Sequence, residues 1–227
     1  MEKKTILNII NILENEYDIS DYSGSGDAYE VLVGTVLSQR TKDEVTWTRN
    51  KELMKKANSP EKMLKLTEKE IADTIYPVGF YNQKAMKIKQ FSKILVNNYG
   101  GQVPNSREKL TSLPGVGGKT ADCVLCFAFG DQVIPVDIHV EIISKRLGVA
   151  EWKDDPEIVR QKLHEIIPKD KRSIINTLFV EHGKRVCTTR KAYCEGCPVN
   201  EWCPKIFRKQ LPLFHKEQSS VTHPKKH

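Results

Sequence analysis

The 227-residue sequence predicts an all-α protein made of many short helices. Apolar residues recur at helical spacing along most of the chain, beginning with the stripe Ile6, Ile9, Ile10 and Leu13. Residue types that begin and end helices flank these segments. No segment shows the alternation of apolar and polar residues between hairpin turns that is typical of strands. A chain of this length can bury a sizeable core, in one large domain or two small ones.

Helix boundaries are clear in the first part of the chain. Residues 22–26 read YSGSG and predict a flexible break, after which Asp27 can cap a helix. Residues 28–38 are apolar enough for a helix or a buried strand, and their length favours the helix. Asp43 opens a further helical segment that runs to about Ala57.

The later boundaries follow from capping residues and glycines. Residues 67–70 read TEKE, a capping box that begins a helix ended by Gly79. A long amphipathic segment follows over residues 81–99 and is closed by two glycines. Asp155 supplies an N-cap, and a proline at the first helical position follows it, so a helix is expected over residues 156–167.

Composition and charge narrow the class of protein. Lysine and arginine number 36 against 29 acidic residues, a formal net charge of +7, and hydrophobic residues make up 39% of the chain. These values argue against a disordered chain and against a collagen. No run of about eighteen apolar residues could span a bilayer, and the first apolar stretch is too interrupted for a signal peptide. We therefore expect a soluble, intracellular protein, and the basic excess weakly suggests a polyanionic partner.

Four of the six cysteines, Cys187, Cys194, Cys197 and Cys203, lie within seventeen positions. In a reducing compartment such a group indicates a metal site rather than disulfides. Four thiolates suit a [4Fe–4S] cluster or a zinc ion. The spacing of six, two and five residues lacks the paired CxxC pattern of zinc ribbons, so we keep zinc only as the alternative. The other two, Cys123 and Cys126, are separated by three positions on an apolar segment and are expected in the core.

Residues 106–129 predict two helices joined by a glycine-rich turn. The first helix ends near Leu113, and the second begins near Lys119 after the turn PGVGG. Gly115 and Gly117 permit positive φ angles and close approach of another backbone. Free N–H groups at the start of the second helix can bind a DNA phosphate. A nucleotide-binding loop is excluded because Leu113 stands where such a loop requires glycine, whereas an ordinary helix corner stays open.

The segment LPGVGGKTA at residues 113–121, followed by VDIHV at residues 136–140, resembles the helix–hairpin–helix DNA glycosylases. Lys119 and the cysteine spacing resemble the endonuclease III branch of that family. Further matches are LSQRTKD at residues 37–43 and GFYNQKA at residues 79–85, and the similarity covers roughly residues 25–205. Four separate motifs in the family order make a chance match improbable.

The resemblance implies a two-lobed, all-α glycosylase fold with DNA in the cleft between the lobes. A six-helix barrel lobe with the hairpin would span residues 22–132. A discontinuous lobe of residues 1–21 and 133–212 would hold a [4Fe–4S] cluster on the four clustered cysteines. Beyond it, residues 213–227 lose helical periodicity and predict a disordered basic tail.

The implied activity is that of a bifunctional DNA glycosylase and abasic-site lyase in base excision repair. Such an enzyme flips a damaged base, here an oxidised pyrimidine, out of duplex DNA. The amine of Lys119 would form a Schiff base with the sugar, and β-elimination would cut the strand 3′ to the abasic site. The partner is double-stranded DNA with damaged bases or abasic sites, bound by a monomer in the cytoplasm at the nucleoid. The alternatives are a uracil or thymine mismatch glycosylase and a non-catalytic DNA-binding module.

Two residues are expected to carry the chemistry. Lys119 lies at a helix N-terminus, where the dipole disfavours the ammonium, so we expect a lowered pKa and a partly neutral amine. The carboxylate of Asp137 could stabilise the cationic transition state and help to deprotonate the lysine. Asp137 is also a natural N-cap for the following helix, and both roles are compatible. His139 lies in the same motif, and a structural role is the favoured interpretation.

The remaining candidates contact DNA. Phe80 could wedge into the base stack or pack in the core. Gln39 and Arg40 fall where relatives contact the orphan base, and the family commonly has glutamine where this chain has Arg40. This difference leaves open which side chain fills the vacated space.

Backbone groups and a basic loop complete the expected DNA contacts. The N–H groups around Gly115, Gly117 and Gly118 would bind phosphate without reading sequence. Arg190 and Lys191 lie in the loop between the first two clustered cysteines, where a bound cluster would stiffen the loop and present both side chains to the DNA backbone.

Overall fold

The computed structural model describes residues 1–19 and 26–207. Within these ranges the chain is helical and has no β-strand, with one isolated bridge between Cys187 and Ala192. The α-helices are α1 Lys3–Glu16, α2 Ala28–Ser38, α3 Asp43–Lys56, α4 Pro60–Lys65, α5 Glu68–Ile75, α6 Tyr81–Tyr99, α7 Arg107–Thr111, α8 Gly118–Phe129, α9 Ile138–Arg146, α10 Pro156–Ile166 and α11 Arg172–Arg185. None of the helices in this part of the chain is long and apolar enough to cross a membrane. Residues 22–25 of the predicted break at 22–26, and the predicted tail from residue 213, lie outside the described residues.

The capping residues act as the sequence predicts. The Asp27 carboxylate accepts hydrogen bonds from the first N–H groups of α2, and Thr67 and Glu70 form a reciprocal capping box at the start of α5. Asp155 caps α10 with proline at the first helical position. Each of these residues satisfies backbone donors that a helix end would otherwise leave unpaired. Asp43 is the first residue of α3, whose N-cap position is occupied by Lys42 without a side-chain cap.

Buried apolar side chains form two separate hydrophobic clusters. The first draws its residues from α2 to α8 and includes fully buried Leu32 and Phe91. The second combines α1 with α9, α10 and α11 and includes fully buried Ile10 and Phe179. The chain therefore starts in the second core with α1, builds the first core from α2 to α8 and then passes back to the second core. The end of α8 and the start of α9 lie where it passes from one core to the other.

An ion-pair network joins the hairpin to the second core. Arg107 at the start of α7 binds Asp122 of α8 at 2.9 Å and Glu157 of α10 at 2.5 Å. Arg160, one turn further along α10, lies 3.8 Å from the other oxygen of Asp122. Gly118 leaves the space for this network, because a β-carbon there would come within 2.6 Å of the Arg107 guanidinium.

Candidate active site and DNA-facing surface

The hairpin between α7 and α8 presents open backbone. Gly115 adopts φ +83° and packs against the side chain of Lys87, where a β-carbon would collide. Gly117 is the N-cap of α8, and apart from its own and its neighbours' atoms no described atom lies within 4 Å of where a β-carbon would stand. The N–H groups of Gly118, Lys119 and Thr120 have no intrahelical partners, because the hydrogen bonds of α8 begin with the Ala121 N–H, which donates to the Gly117 carbonyl at 2.9 Å. This geometry suits an anion, at the positive end of the helix dipole.

Lys119 is the second residue of α8 and is exposed to solvent. Desolvation by the surrounding protein acts to lower its pKa. The Cys123 sulfur and the carboxylates of Asp137 and Asp43 outweigh this effect, and the pKa of Lys119 is raised above its ordinary value. The sequence-based expectation of a lowered pKa is therefore wrong. It considered the helix dipole and omitted Cys123, which lies one turn further along α8, and the two carboxylates that come from other segments.

Asp137 is the N-cap of α9. One oxygen, Oδ1, accepts hydrogen bonds from the N–H groups of His139 and Val140, both at 2.9 Å. The segment before it is also fixed, since Ile134 donates its N–H to His164 at 3.1 Å and the Pro135 carbonyl accepts from Asn176 at 2.8 Å. The carboxylate is thus held rigidly, with its second oxygen accepting no hydrogen bond from the described part of the chain.

His139 packs tightly between α9 and α11. Its ring fills the space where Gly183 lacks a side chain, and a β-carbon at Gly183 would collide with the ring. The Nδ1 atom is buried and has no hydrogen-bond partner among the described residues. These contacts support the structural role that the sequence favours for His139.

An ion pair crosses the same junction. Asp43 at the start of α3 binds Lys184 of α11 at 2.8 Å. The charge of Asp43 also acts on the Lys119 amine. Asp43 of α3 and Asp137 at the start of α9 therefore both act on the Lys119 amine of α8, and these groups define the candidate active site. Its chemical content is an exposed primary amine, a rigid carboxylate and an electropositive backbone surface.

Gln39, Arg40 and Phe80 lie beside one another but have different partners. The Gln39 side chain donates to the Gly115 carbonyl at 3.1 Å and lies 3.4 Å from the Thr120 hydroxyl. The guanidinium of Arg40 lies over the Phe80 ring, 5.7 Å from its centroid. Phe80 is 55% exposed, so the core interpretation of this residue is wrong. Gln39 is therefore hydrogen-bonded to the hairpin, whereas Arg40 and Phe80 contact each other and are both exposed on the surface.

A buried lysine underlies these three residues. Lys84 of α6 is 4% exposed and donates to the Leu37 and Gln39 carbonyls at 2.8 and 2.5 Å. It also donates to the Thr41 hydroxyl at 3.2 Å. Burial, with a smaller effect of nearby Lys87, lowers the pKa of Lys84 to about 8. Sequence reasoning missed this residue, although a lysine four positions before Ile88 on the apolar stripe of α6 is a signal.

The four clustered cysteines line one small cavity that is partly open to solvent. None of the six cysteines forms a disulfide, and Cys123 and Cys126 are buried as expected. No three histidine, cysteine, aspartate or glutamate side chains in the described ranges converge as a site for a single metal ion.

Two further side chains contact the sulfurs, and the sequence did not indicate either. Arg146 of α9 is buried and donates to the Cys187 sulfur at 3.1 Å and to the Thr188 carbonyl at 2.7 Å. His182 of α11 lies 3.7 Å from the Cys197 sulfur. Both side chains lie on helices, whereas the cysteines that they contact follow the end of α11 in the sequence.

Arg190 and Lys191 lie exposed at the tip of the cysteine loop. The Thr188 hydroxyl closes this loop by accepting from the Lys191 N–H at 3.0 Å and donating to its carbonyl at 2.6 Å. The Lys191 ammonium stands 4.9 Å from the Tyr193 ring centroid. The loop therefore presents two cations on a short, hydrogen-bonded turn.

The fold and the cleft define a class of DNA repair protein. Residues 33–169 match the family model described as HhH-GPD superfamily base excision DNA repair protein. The chain belongs to this superfamily, and its relatives place it in the endonuclease III branch. Endonuclease III of Thermotoga maritima is 41% identical over 184 residues, covering 81% of this chain and 85% of the relative. Endonuclease III of Bacillus subtilis is 37% identical over 175 residues, covering 77% and 80%.

Solved structures give the same result. A trapped endonuclease III–DNA covalent intermediate, an estranged-adenine complex, superposes with a TM-score of 0.83 at 32% identity, covering 90% of this chain and 97% of that one. A thermostable thymine-DNA glycosylase superposes with a TM-score of 0.77 at 27% identity, covering 89% and 94%. The predictions of an all-α glycosylase fold and of the endonuclease III family are confirmed.

Proposed function

We propose that this chain is a bifunctional DNA glycosylase and abasic-site lyase that removes damaged pyrimidines from duplex DNA. The observation that carries the proposal is the exposed amine of Lys119 in the same cleft as the rigid carboxylate of Asp137. A non-catalytic DNA-binding module would need the hairpin but would have no use for this pair. The relatives support the same conclusion, since endonuclease III has been trapped as a covalent intermediate with DNA.

The reaction begins when the flipped nucleotide enters the cleft. The Lys119 nitrogen bonds to C1′ of the sugar as the bond from C1′ to the base breaks, and the base leaves with that electron pair and takes up a proton. Opening of the sugar ring then gives a protonated Schiff base. Loss of a C2′ proton expels the 3′ phosphate oxygen, which cuts the strand, and water finally releases the enzyme amine. Asp137 stabilises the positive charge that develops at C1′.

The raised pKa of Lys119 adds a requirement to this scheme. The amine is an ammonium in the free protein, so a proton must leave before the nitrogen can attack. Asp137 is the fixed carboxylate whose charge acts on the amine, and we assign it the role of base, directly or through a water molecule. Substrate binding favours the transfer because the sugar displaces water from the pair and leaves a less polar environment for the ammonium.

The surfaces around the cleft support DNA binding. The first turn of α8 and the basic loop with Arg190 and Lys191 would contact phosphates. Phe80 and Arg40 would enter the space that the extruded nucleotide leaves, since apolar wedges accompany duplex distortion. We further propose that the two hydrophobic clusters correspond to the two lobes and that the protein acts at the nucleoid.

The cysteine cavity fits a [4Fe–4S] cluster. Each thiolate of such a cluster binds a different iron atom, so the four sulfurs must surround a volume rather than meet at one point, and here they line a shared cavity. Arg146 and His182 would stabilise the bound thiolates by hydrogen bonds. The group would be structural, since all its ligands come from the protein, and would fix the loop that carries Arg190. Visible absorbance with iron and sulfide analysis tests this, and stoichiometric zinc in a colourless protein would overturn it.

Borohydride trapping on DNA tests the catalytic proposal. The wild-type protein should form a stable covalent adduct with a duplex containing an oxidised pyrimidine, because borohydride reduces the Schiff base to an amine. Lys119→Gln should form no adduct, and Asp137→Asn should slow base release by about a hundredfold or more. Lys153→Gln is the matched control, because Lys153 is an exposed lysine that pairs with neighbouring Glu151. Continued trapping by Lys119→Gln would show that another amine is the nucleophile.

A panel of duplexes distinguishes the substrate classes. Each duplex carries one lesion, an oxidised pyrimidine, a uracil or a thymine mismatch, and base release and strand cleavage are scored separately. Cleavage of the oxidised pyrimidine by the wild type, lost in Lys119→Gln, supports the proposed substrate. Activity confined to mismatched thymine would instead favour a function like that of the thymine-DNA glycosylase that superposes on this chain.

A further inference from the structure

Lys84 connects the loop that carries Arg40 to the helix that follows Phe80. Its ammonium points from α6 into residues 37–41 and reaches three acceptors, the carbonyls of Leu37 and Gln39 and the hydroxyl of Thr41. An ammonium has three N–H donors, so all three are used. Carbonyls in the last turn of α2 lack intrahelical donors, and a cation is the favoured group at that end of a helix.

Thr41 extends this connection to the segment before Phe80. Its hydroxyl accepts from Lys84 and also from the N–H of Gly79, at 3.2 Å each. Gly79 lies directly against the Arg40 carbonyl, since a β-carbon at position 79 would come within 2.7 Å of that oxygen. One lysine and one threonine therefore hold the two exposed segments in contact.

Both exposed residues adopt a backbone conformation that requires support. Arg40 has φ +53° and Phe80 has φ +58°, in the left-handed region that side chains other than glycine, asparagine and aspartate rarely enter. Such a conformation costs about 1–3 kcal/mol at each residue and persists only where neighbouring contacts impose it. The contacts of Lys84 and Thr41 reach both segments.

We propose that Lys84 is a positioning residue that holds Arg40 and Phe80 together as one wedge, so that they enter the duplex as a unit when a nucleotide is extruded. Lys84 is buried and does not touch the DNA or the reacting atoms. The inference rests on the proposed glycosylase function, and it concerns the extrusion step rather than the chemistry at C1′.

The perturbing substitution is Lys84→Met, which keeps most of the length of the side chain and removes the three donors. Thr41→Val is a second, smaller change that removes only the hydroxyl bridge to Gly79. Lys89→Met is the matched control, because Lys89 also lies on α6 and donates to the terminal carbonyl of a helix, Leu66 at the end of α4, away from the wedge. Melting temperatures establish that each variant is folded.

The informative comparison is between a paired and an unpaired target. Extrusion of a paired nucleotide requires unpairing and unstacking, whereas a lesion in a single-stranded region is already free of both. Lys84→Met should therefore slow base release from a paired lesion by about tenfold to a hundredfold. On an unpaired lesion its loss should stay within about threefold, because the step that the wedge assists is absent.

A spectroscopic readout tests the same step without turnover. In the Lys119→Gln background, a 2-aminopurine beside the lesion should brighten on binding when the wedge opens the stack. That increase should be lost in Lys84→Met and kept in Lys89→Met.

The outcomes separate this inference from the proposed function. Absence of base release by the wild type would remove the proposed function itself. An active wild type with equal losses by Lys84→Met on paired and unpaired lesions would overturn the positioning role. Full activity on paired lesions in both single variants, Thr41→Val and Lys84→Met, would also overturn the positioning role. Partial recovery in Lys84→Arg, which restores donors, supports the role, and an arginine variant no better than methionine counts against it.

Discussion

The ion-pair network between the hairpin and α10 predicts that its two central partners respond unequally to substitution. Asp122 has a side chain that is 2% exposed, and Arg107 supplies its short contact at 2.9 Å. Arg160 is a second ion-pair partner at 3.8 Å. Arg107→Met would leave the Asp122 carboxylate buried in α8 with this longer contact.

The expected cost follows from the burial of that charge. Removing one member of a buried ion pair typically costs about 3–5 kcal/mol, because the other charge stays desolvated without compensation. The contact to Arg160 offsets part of this, so we expect about 3 kcal/mol for Arg107→Met. For a chain of this size, about 1 kcal/mol corresponds to roughly 2–4 °C, so the melting temperature should fall by about 6–12 °C.

The opposite substitution should be tolerated. Burial raises the pKa of the Asp122 carboxyl above its ordinary value and outweighs the opposing effect of Arg107. A carboxylate with a raised folded pKa contributes less favourably to stability above that pKa than below it, so the ionised form is a net cost at neutral pH. Asp122→Asn removes this cost, and Arg107 keeps its contact with Glu157. We expect a change within about 1 kcal/mol.

Differential scanning calorimetry of the purified protein, with the same metal content in each variant, measures both effects at neutral pH. Arg49→Met is the control, because Arg49 pairs with Glu52 in a partly exposed i,i+3 bridge and should cost less than about 1 kcal/mol. The reasoning fails if Arg107→Met melts within about 3 °C of the wild type. It also fails if Asp122→Asn is as destabilised as Arg107→Met, since the asymmetry is the content of the prediction.

Three further outcomes are expected. Burial lowers the pKa of His164 to about 4, so its stabilising effect is complete above pH 6.5 and is lost as the pH falls from 6.5 through 4. Because the ring is partly exposed, the loss of unfolding free energy should be about 1–2 kcal/mol, measured by urea denaturation at a series of acidic pH values. His164→Gln can still accept the Ile134 N–H and should lack this pH dependence. Gly183→Ala should displace α11 from His139 and lower base release by about tenfold, with DNA affinity nearly unchanged; wild-type rates would contradict this. Cys197→Ala should lose iron and visible absorbance and should weaken DNA binding, and an iron-replete variant would contradict the ligand assignment.

Local features of the fold could be predicted from the sequence because their causes are local. The cap at Asp27 and the capping box at 67–70 depend on residues within one helical turn, and the structure has them as expected. The group of four cysteines could also be recognised from the sequence, because all four lie within one short stretch of the chain. The hairpin was recognisable because glycines are required at fixed positions of its turn.

Contacts between distant segments could not be derived in this way. The predicted pKa of Lys119 was wrong in direction because the carboxylates of Asp137 and Asp43, from other segments, add to the effect of Cys123 on its own helix and together raise it. The hydrogen bond of Gln39 to the Gly115 carbonyl spans 76 positions, so the local motif around Gln39 could not predict that this side chain binds the hairpin. Arg146 likewise reaches the Cys187 sulfur from 41 positions away. Periodicity places a residue on a helix face but does not say which helix meets that face.

Three of the buried charges that sequence reasoning missed each lie behind a turn or loop of the fold. Lys84 lies behind the Arg40 loop, Asp122 behind the hairpin and Arg146 behind the cysteine loop. A buried charge costs stability unless its partners are fixed, and apolar residues of similar volume would often serve the core as well. Lys84 and Arg146 instead donate to carbonyls of irregular backbone, and Asp122 joins the two helices of the hairpin through the Arg107 side chain. Loops that must meet DNA in a set geometry provide a physical reason to retain them, and the paired and unpaired lesion assay on Lys84 tests that reason at the wedge.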